Sequence, residues 1–140
     1  MSGPGGAFLL VRAGGRQVGL AVEAVIEVRE PSELGAIPSL EPALRGVTAL
    51  RGQLMPVLNL AALLGGAAGP GTAVVVTDLG GRRVGLEVDE ADIVVGAGVN
   101  LLRADETLPW ARAIAVLPGQ VYVPLLDLGA LSARLTEVST

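Results

Sequence analysis

Two blocks of the sequence recur in the same order at nearly the same spacing, and this repeat constrains the fold more than any other feature. Residues 14–23 return 66 residues later as residues 80–89, with the shared pattern Gly-Gly-Arg-x-Val-Gly-Leu-x-Val-acid. Residues 52–63 return as residues 119–131 with one residue inserted. Self-similarity of this kind indicates internal duplication. The chain is therefore predicted to consist of two homologous halves.

The halves are placed at residues 7–66 and 72–135 of a single domain that spans 7–135, and residues 1–6 are predicted to form a flexible tail. Each half has an apolar run, a Gly-Gly turn, an alternating strand and a hairpin whose second strand contains proline. About five short strands per half predict a mainly β protein with one small closed barrel per half. A barrel of about 60 residues is marginal alone, so the two barrels are expected to pack together and share core.

A short helix is predicted after each barrel. Asn59 and Asp127 each precede a Leu/Ala run and are good N-cap residues, which places helices at 60–64 and 128–135. Three further glycines are predicted to serve turns or close packing, namely Gly46, Gly52 and Gly119.

The composition excludes most catalytic chemistry. The chain has no cysteine and no histidine, and all ten of its basic residues are arginine. It therefore lacks the thiolate nucleophile, the commonest general base, the commonest metal ligand and the Schiff-base lysine. We expect no catalytic residues, no cofactor and no metal site.

Charge and hydropathy argue against two classes of partner. The formal net charge is −4, so charge alone attracts the chain neither to nucleic acid nor to an anionic membrane. Residues 52–77 carry no charge, but glycines and prolines interrupt them before an apolar run reaches 18 residues. The N-terminus also lacks the basic segment of a secretory signal. A cytoplasmic protein that does not insert into a membrane is the expectation.

One segment carries a resemblance to a known family. Residues 45–52, Arg-Gly-Val-Thr-Ala-Leu-Arg-Gly, followed by Pro-Val-Leu-Asn-Leu at 56–60, resemble the central motif of CheW-like chemotaxis coupling domains. The flanking segments 19–28 and 84–90 resemble the same family, and the likeness extends from about residue 8 to residue 135. The resemblance implies two packed, five-stranded SH3-like barrels, which agrees with the repeat.

The resemblance also implies function and partners. CheW-like proteins are adaptors that bridge the cytoplasmic tip of methyl-accepting chemoreceptors and the regulatory domain of a CheA-type histidine kinase. The kinase and the adaptor meet barrel to barrel, the receptor tip lies in a groove between the barrels, and the adaptor performs no reaction. A non-catalytic signalling adaptor in chemotaxis or a related motility pathway is therefore the predicted function.

The repeat separates candidate interface residues from structural ones. Arg45 recurs as Arg112, which favours a structural role, whereas Pro118 stands where the first half has Arg51. Ile93 likewise stands in the place of Glu27. The family resemblance associates partner contacts with positions 51, 27 and 25. Arg51, Glu27 and Val25 are therefore the predicted protein-binding residues; the other interpretations are an exposed turn arginine, a solvated strand residue and ordinary core.

Three alternatives remain open. Glu23 and Asp89 are equivalent in the repeat and could form a catalytic carboxylate dyad. Small barrels commonly bind single-stranded nucleic acid, although this chain lacks a basic stripe and stacking aromatics. The third alternative is a diverged CheW-like scaffold with weakened kinase binding that serves another signalling system. Its basis is Ala49 and Asn59, where the family favours Asn and Asp, and a short segment at 95–118. Trp110 is predicted to plug the second barrel or to lie at an interface.

Overall fold

A computed structural model describes residues 3–4, 6–36, 41–69, 71–104 and 106–139. Residues 1, 2 and 5 of the predicted tail lie outside the described residues. The remaining part of that tail is not simply extended into solvent, since Gly3–Pro4 forms a two-residue strand antiparallel to residues 100–101.

The described chain is built from twelve strands, two α-helices and one 3₁₀ turn at Val22–Ala24. The strands are β1 Gly3–Pro4, β2 Phe8–Ala13, β3 Arg16–Ala21, β4 Val25–Arg29, β5 Leu44–Leu50, β6 Gln53–Asn59, β7 Ala73–Leu79, β8 Arg82–Val88, β9 Glu90–Val95, β10 Asn100–Arg103, β11 Ala111–Leu117 and β12 Val121–Leu126. The helices are α1 Leu60–Leu63 and α2 Leu128–Ser139.

The strands form two sheets with matching order. One sheet runs β4-β7-β8-β6-β5, and the other runs β1-β10-β11-β12-β3-β2-β9. Under the sequence repeat, β4, β7, β8, β6 and β5 correspond to β9, β2, β3, β12 and β11, so five strands of the second sheet repeat the first in the same order. The mainly β architecture of two repeat-related SH3-like barrels is therefore confirmed, with β1 and β10 added to the second sheet.

Each sheet takes strands from both halves of the sequence, so the prediction that each half closes its own barrel is wrong. Strands β2 and β3 of the first half lie in the sheet that contains β9 to β12, while β7 and β8 of the second half lie between β4 and β6. Two parallel pairs make these joins, β3 with β12 and β8 with β6. Parallel strands need a long crossover connection, whereas hairpins give antiparallel pairs. An interpretation of the repeat as successive hairpins therefore does not predict these two joins.

The buried apolar residues of the described ranges form three clusters, one inside each barrel and one between them. Phe8, Leu10 and Leu125 lie in the cluster of the larger sheet, and Met55, Val57 and Val74 lie in that of the smaller one. The third cluster is the largest and draws on β2, β3, β7, β8 and α1. The expectation that the barrels share core is therefore confirmed. Burial of this joint core holds the two barrels together.

Both helices begin where the sequence predicts. The side chain of Asn59 accepts a hydrogen bond of 3.0 Å from the Ala62 N–H, and Asp127 Oδ1 accepts one of 3.0 Å from the Ala130 N–H. Gly65 follows α1 with φ +91°, the left-handed conformation that ends helices. Helix α2 continues past residue 135 to Ser139. Across the described ranges, no helix is both long enough and apolar enough to cross a bilayer.

Candidate protein-interaction site

The turn between β5 and β6 places Arg51 in an unusual backbone conformation. Arg51 has φ +49° and Gly52 has φ +81°, so both central residues of this two-residue turn are left-handed. Such turns match the twist of a hairpin but favour Asn or Gly over a long side chain. The corresponding turn in the other barrel has three residues, because the inserted residue lies there as Gln120, with φ +58°. Because the two turns differ in length, the presence of Pro118 in place of Arg51 does not by itself separate a binding role from a structural one.

A β-bulge aims Glu27 toward this turn. Pairing between β4 and β7 steps from Val25–Thr77 to Glu27–Val76, which leaves Ile26 as the extra residue. A bulge bends its strand and redirects the neighbouring side chains. Arg51 Nη1 lies 2.9 Å from Glu27 Oε1, with the Arg51 side chain 60% exposed and that of Glu27 31% exposed. The structure thus brings together two of the three residues that the sequence singles out.

Val25, the third predicted residue, lies at the edge of the shared core. It is half-buried and packs against the cluster shared by the barrels. Leu54 is the apolar residue that lies close to this turn and faces solvent, with 74% of its surface exposed. Alternation along β6 could have revealed it, because the neighbouring Met55 points into the barrel.

The three glycines expected to serve turns or packing lie in the positions that require glycine. Gly46 has φ +148°, and a Cβ there would lie 2.5 Å from the Gly35 carbonyl oxygen. Gly52 and Gly119 each have φ +81° and open space around the Cα, so they serve their turns.

A buried polar cluster lies on the same barrel and was missed by the sequence analysis. Glu87 is 7% exposed, and its Oε1 accepts a hydrogen bond of 2.8 Å from Asn59 Nδ2. Arg45 Nε lies 3.1 Å from the same oxygen. Asn59 Nδ2 also donates to the Gly69 carbonyl oxygen at 3.0 Å. Glu87 alternates with the apolar residues Leu86 and Val88 along the strand, and only the parallel pairing of β8 with β6 reveals its burial.

Glu23 and Asp89, the two carboxylates of the enzymatic alternative, have separate environments. Asp89 Oδ2 accepts a hydrogen bond of 3.0 Å from the Gly15 N–H, and Glu23 is exposed in the 3₁₀ turn. No hydrogen bond between Glu23 and Asp89 is found in the described part of the chain. In the same residues, no group of three potential metal ligands is clustered.

Trp110 lies at the edge of the core that the barrels share. It is partly buried against that cluster, and the guanidinium carbon of Arg16 lies 5.4 Å from the centroid of its ring. A cation over an indole face is favourable, which fixes Arg16 against the barrel. Trp110 therefore packs between the barrels and does not fill the interior of the barrel formed by the larger sheet.

Comparison with known proteins decides the family. The family model described as "CheW-like domain" matches residues 7–135. This chain belongs to the CheW-like family. It is 31% identical over 131 residues to the "Chemotaxis protein CheW" of Klebsiella aerogenes, covering 91% of this chain and 74% of that protein. Membership of the CheW-like family classes the chain as a non-catalytic scaffold of the chemotaxis type.

A solved structure supports the fold. The scaffolding protein TtCheW from Thermoanaerobacter tengcongensis superposes on this chain with a TM-score of 0.79 at 19% sequence identity. The match covers 91% of this chain and 87% of that one. The same arrangement of two barrels is therefore present in both CheW-like proteins.

Proposed function

We propose that this CheW-like chain is a cytoplasmic adaptor that couples the tip of a methyl-accepting chemoreceptor to the regulatory domain of a CheA-type histidine kinase, without binding nucleic acid or inserting into a membrane. The family and the chemotaxis relative support the general role. The ion pair of Arg51 with Glu27 carries the choice of site, because nothing in a hairpin turn requires an arginine at positive φ.

The energetics of that pair support an interaction role over a stabilising one. A non-glycine residue in the left-handed conformation costs roughly 1 kcal/mol. An exposed ion pair contributes about 0–1 kcal/mol, so the pair at best offsets the conformational cost. Arginine is frequent among the residues that dominate interface energies. Arg51, Glu27 and the exposed Leu54 together form a surface with a cation, an anion and an aliphatic group, which suits a partner helix of mixed character.

Charge reversal tests this site. Arg51→Glu is expected to weaken binding of the receptor cytoplasmic domain or of the kinase regulatory domain at least ten-fold, about 1.4 kcal/mol, because it removes the cation and sets two carboxylates side by side. Calorimetric titration with each partner from the same organism measures the effect. Arg82→Glu is the matched control, since Arg82 is an exposed arginine that flanks the turn of another hairpin. Equal binding by wild type and Arg51→Glu would remove Arg51 from the site.

A diverged scaffold with weakened kinase binding is the second candidate. Ala49 is exposed on β5 and pairs across the hairpin with Leu54, so an asparagine at 49 would add a hydrogen-bonding group to the same surface. This candidate attributes weakened coupling to the missing asparagine. Ala49→Asn is therefore expected to tighten kinase binding. An unchanged affinity would count against this second candidate.

A further inference from the structure

The Arg45 side chain contacts a buried carboxylate and is also partly exposed to solvent. Its Nε lies 3.1 Å from the buried carboxylate of Glu87, yet 42% of its side chain is exposed. Within the described ranges, Glu87 is the sole ion-pair partner of Arg45, and no hydrogen bond engages its terminal nitrogens. The Nε atom of Arg45 therefore faces Glu87, and the two terminal nitrogens have no hydrogen-bond partner among the described residues.

The backbone at Arg45 is arranged to produce this orientation. Pairing between β5 and β6 steps from Leu44–Leu58 to Gly46–Val57, which makes Arg45 the extra residue of a bulge on an edge strand. The repeat places Arg112 in an equivalent bulge of β11, between Ala111 and Ala113. The bulge therefore occurs in both sheets. The carboxylate beside the arginine occurs only in the smaller sheet, because Ala21 stands in the place of Glu87 in the larger one.

Stability does not account for the buried carboxylate. Removing a carboxylate from water costs several kcal/mol, and a buried ion pair is often no more stable than well-packed apolar residues of similar volume. The larger sheet has an alanine, Ala21, at the equivalent position and forms the same bulge without a carboxylate. What Glu87 adds is a fixed direction for the Arg45 guanidinium.

We propose that Arg45 is a second partner-contact residue of the adaptor, that it binds a carboxylate of the partner protein through its two terminal nitrogens, and that Glu87 is the positioning residue which holds it. The proposal rests on the adaptor function argued above. Arginine matches a carboxylate with two parallel hydrogen bonds, and a pre-oriented guanidinium loses less entropy when the partner binds. Arg45 lies near the start of β5 and Arg51 in the turn that follows it, about 20 Å apart at the rise of an extended strand.

Lysine at position 45 separates a binding role from a structural one. An ammonium group can neutralise Glu87, but it has no second set of donors directed to solvent. Arg45→Lys is therefore expected to leave the urea unfolding midpoint unchanged and to weaken partner binding about ten-fold. Arg112→Lys, the matched control from the other barrel, is expected to change neither.

Glu87→Gln tests the positioning role. The amide keeps the volume of the carboxylate but no longer attracts Arg45 by charge, so binding is expected to fall about three-fold in the wild-type background and not at all in the Arg45→Lys background. Titrations use the full chain with the receptor cytoplasmic domain and, separately, the kinase regulatory domain. The Arg45 contribution is also expected to shrink between about 50 and 500 mM salt.

The outcomes separate this proposal from the one on which it rests. If Arg51→Glu weakens binding while Arg45→Lys binds as the wild type does, Arg45 is not a contact residue and the adaptor function stands. If Arg45→Lys lowers the unfolding midpoint and binding in parallel, the role of Arg45 is structural. If the wild type binds neither partner domain, both proposals fail.

Discussion

At the scale of single residues, Asn59 shows how one side chain can join three parts of the chain. Its carboxamide oxygen caps α1, while its nitrogen donates to the Gly69 carbonyl and to the Glu87 carboxylate. An aspartate could supply the cap but neither donation. The asparagine therefore suits the buried glutamate beside it.

Asn59→Asp is expected to destabilise the protein by about 2–4 kcal/mol at pH 7, because two carboxylates would lie in hydrogen-bond contact within a buried site. Urea unfolding of wild type and variant at pH 7 measures the difference.

The same substitution in a Glu87→Gln background provides the control. There the aspartate meets an amide that can donate to it, so the penalty should be much smaller. An equal penalty in both backgrounds would show that repulsion from Glu87 is not the cause.

At the scale of secondary structure elements, the two parallel strand crossings share one design. Gly19 on β3 lies opposite Leu125 on β12, and Gly85 on β8 lies opposite Val57 on β6. A Cβ on Gly19 would lie 2.5 Å from Leu125 Cδ2 and 2.7 Å from Phe8 Cδ2. Strands from different halves can therefore approach inside each barrel because a repeated glycine leaves room for the facing side chains.

Gly19→Ala is expected to lower the free energy of unfolding by about 1–3 kcal/mol, since the added methyl group overpacks the barrel interior. Chemical denaturation followed by circular dichroism measures the change. Gly96→Ala is the control, because nothing lies within 4 Å of a Cβ at that position. A loss of equal size at both positions would point to a general glycine effect.

At the scale of the whole molecule, strand exchange makes the two halves of the sequence dependent on each other. The smaller sheet loses two of its three inner strands, β7 and β8, if residues 72–135 are removed, and the larger sheet loses β2 and β3 if residues 7–66 are removed. The shared apolar cluster would be exposed in either case. One connector residue is held by the first half, since Asn59 Nδ2 donates to the Gly69 carbonyl oxygen.

Separate fragments 1–69 and 71–140 are accordingly expected to be unfolded alone and to form a folded complex when mixed. Neither fragment contains a complete sheet, and each would expose much of its core to water. Circular dichroism of each fragment and of the mixture, with size-exclusion chromatography, tests this expectation. A cooperative thermal transition in either isolated fragment would contradict it.

Local patterns were sufficient for part of this protein. Alternating apolar residues and Gly-Gly turns predicted the strands, and Asn59 and Asp127 predicted the helix starts, because these features depend on neighbouring residues alone. The same patterns could not reveal the burial of Glu87, because its neighbour Asn59 lies 28 residues away on a strand of the other half.

The sequence by itself determined the duplication, the β class, the family resemblance and the residue types at the proposed binding surface. Tertiary structure alone decided that the halves exchange strands, that Arg51 reaches Glu27 across the barrel, and that a buried carboxylate stands behind Arg45. The physical reason is range. Turn and cap preferences are local free energies, whereas strand exchange and the burial of a charge depend on which distant segments meet when the shared core forms.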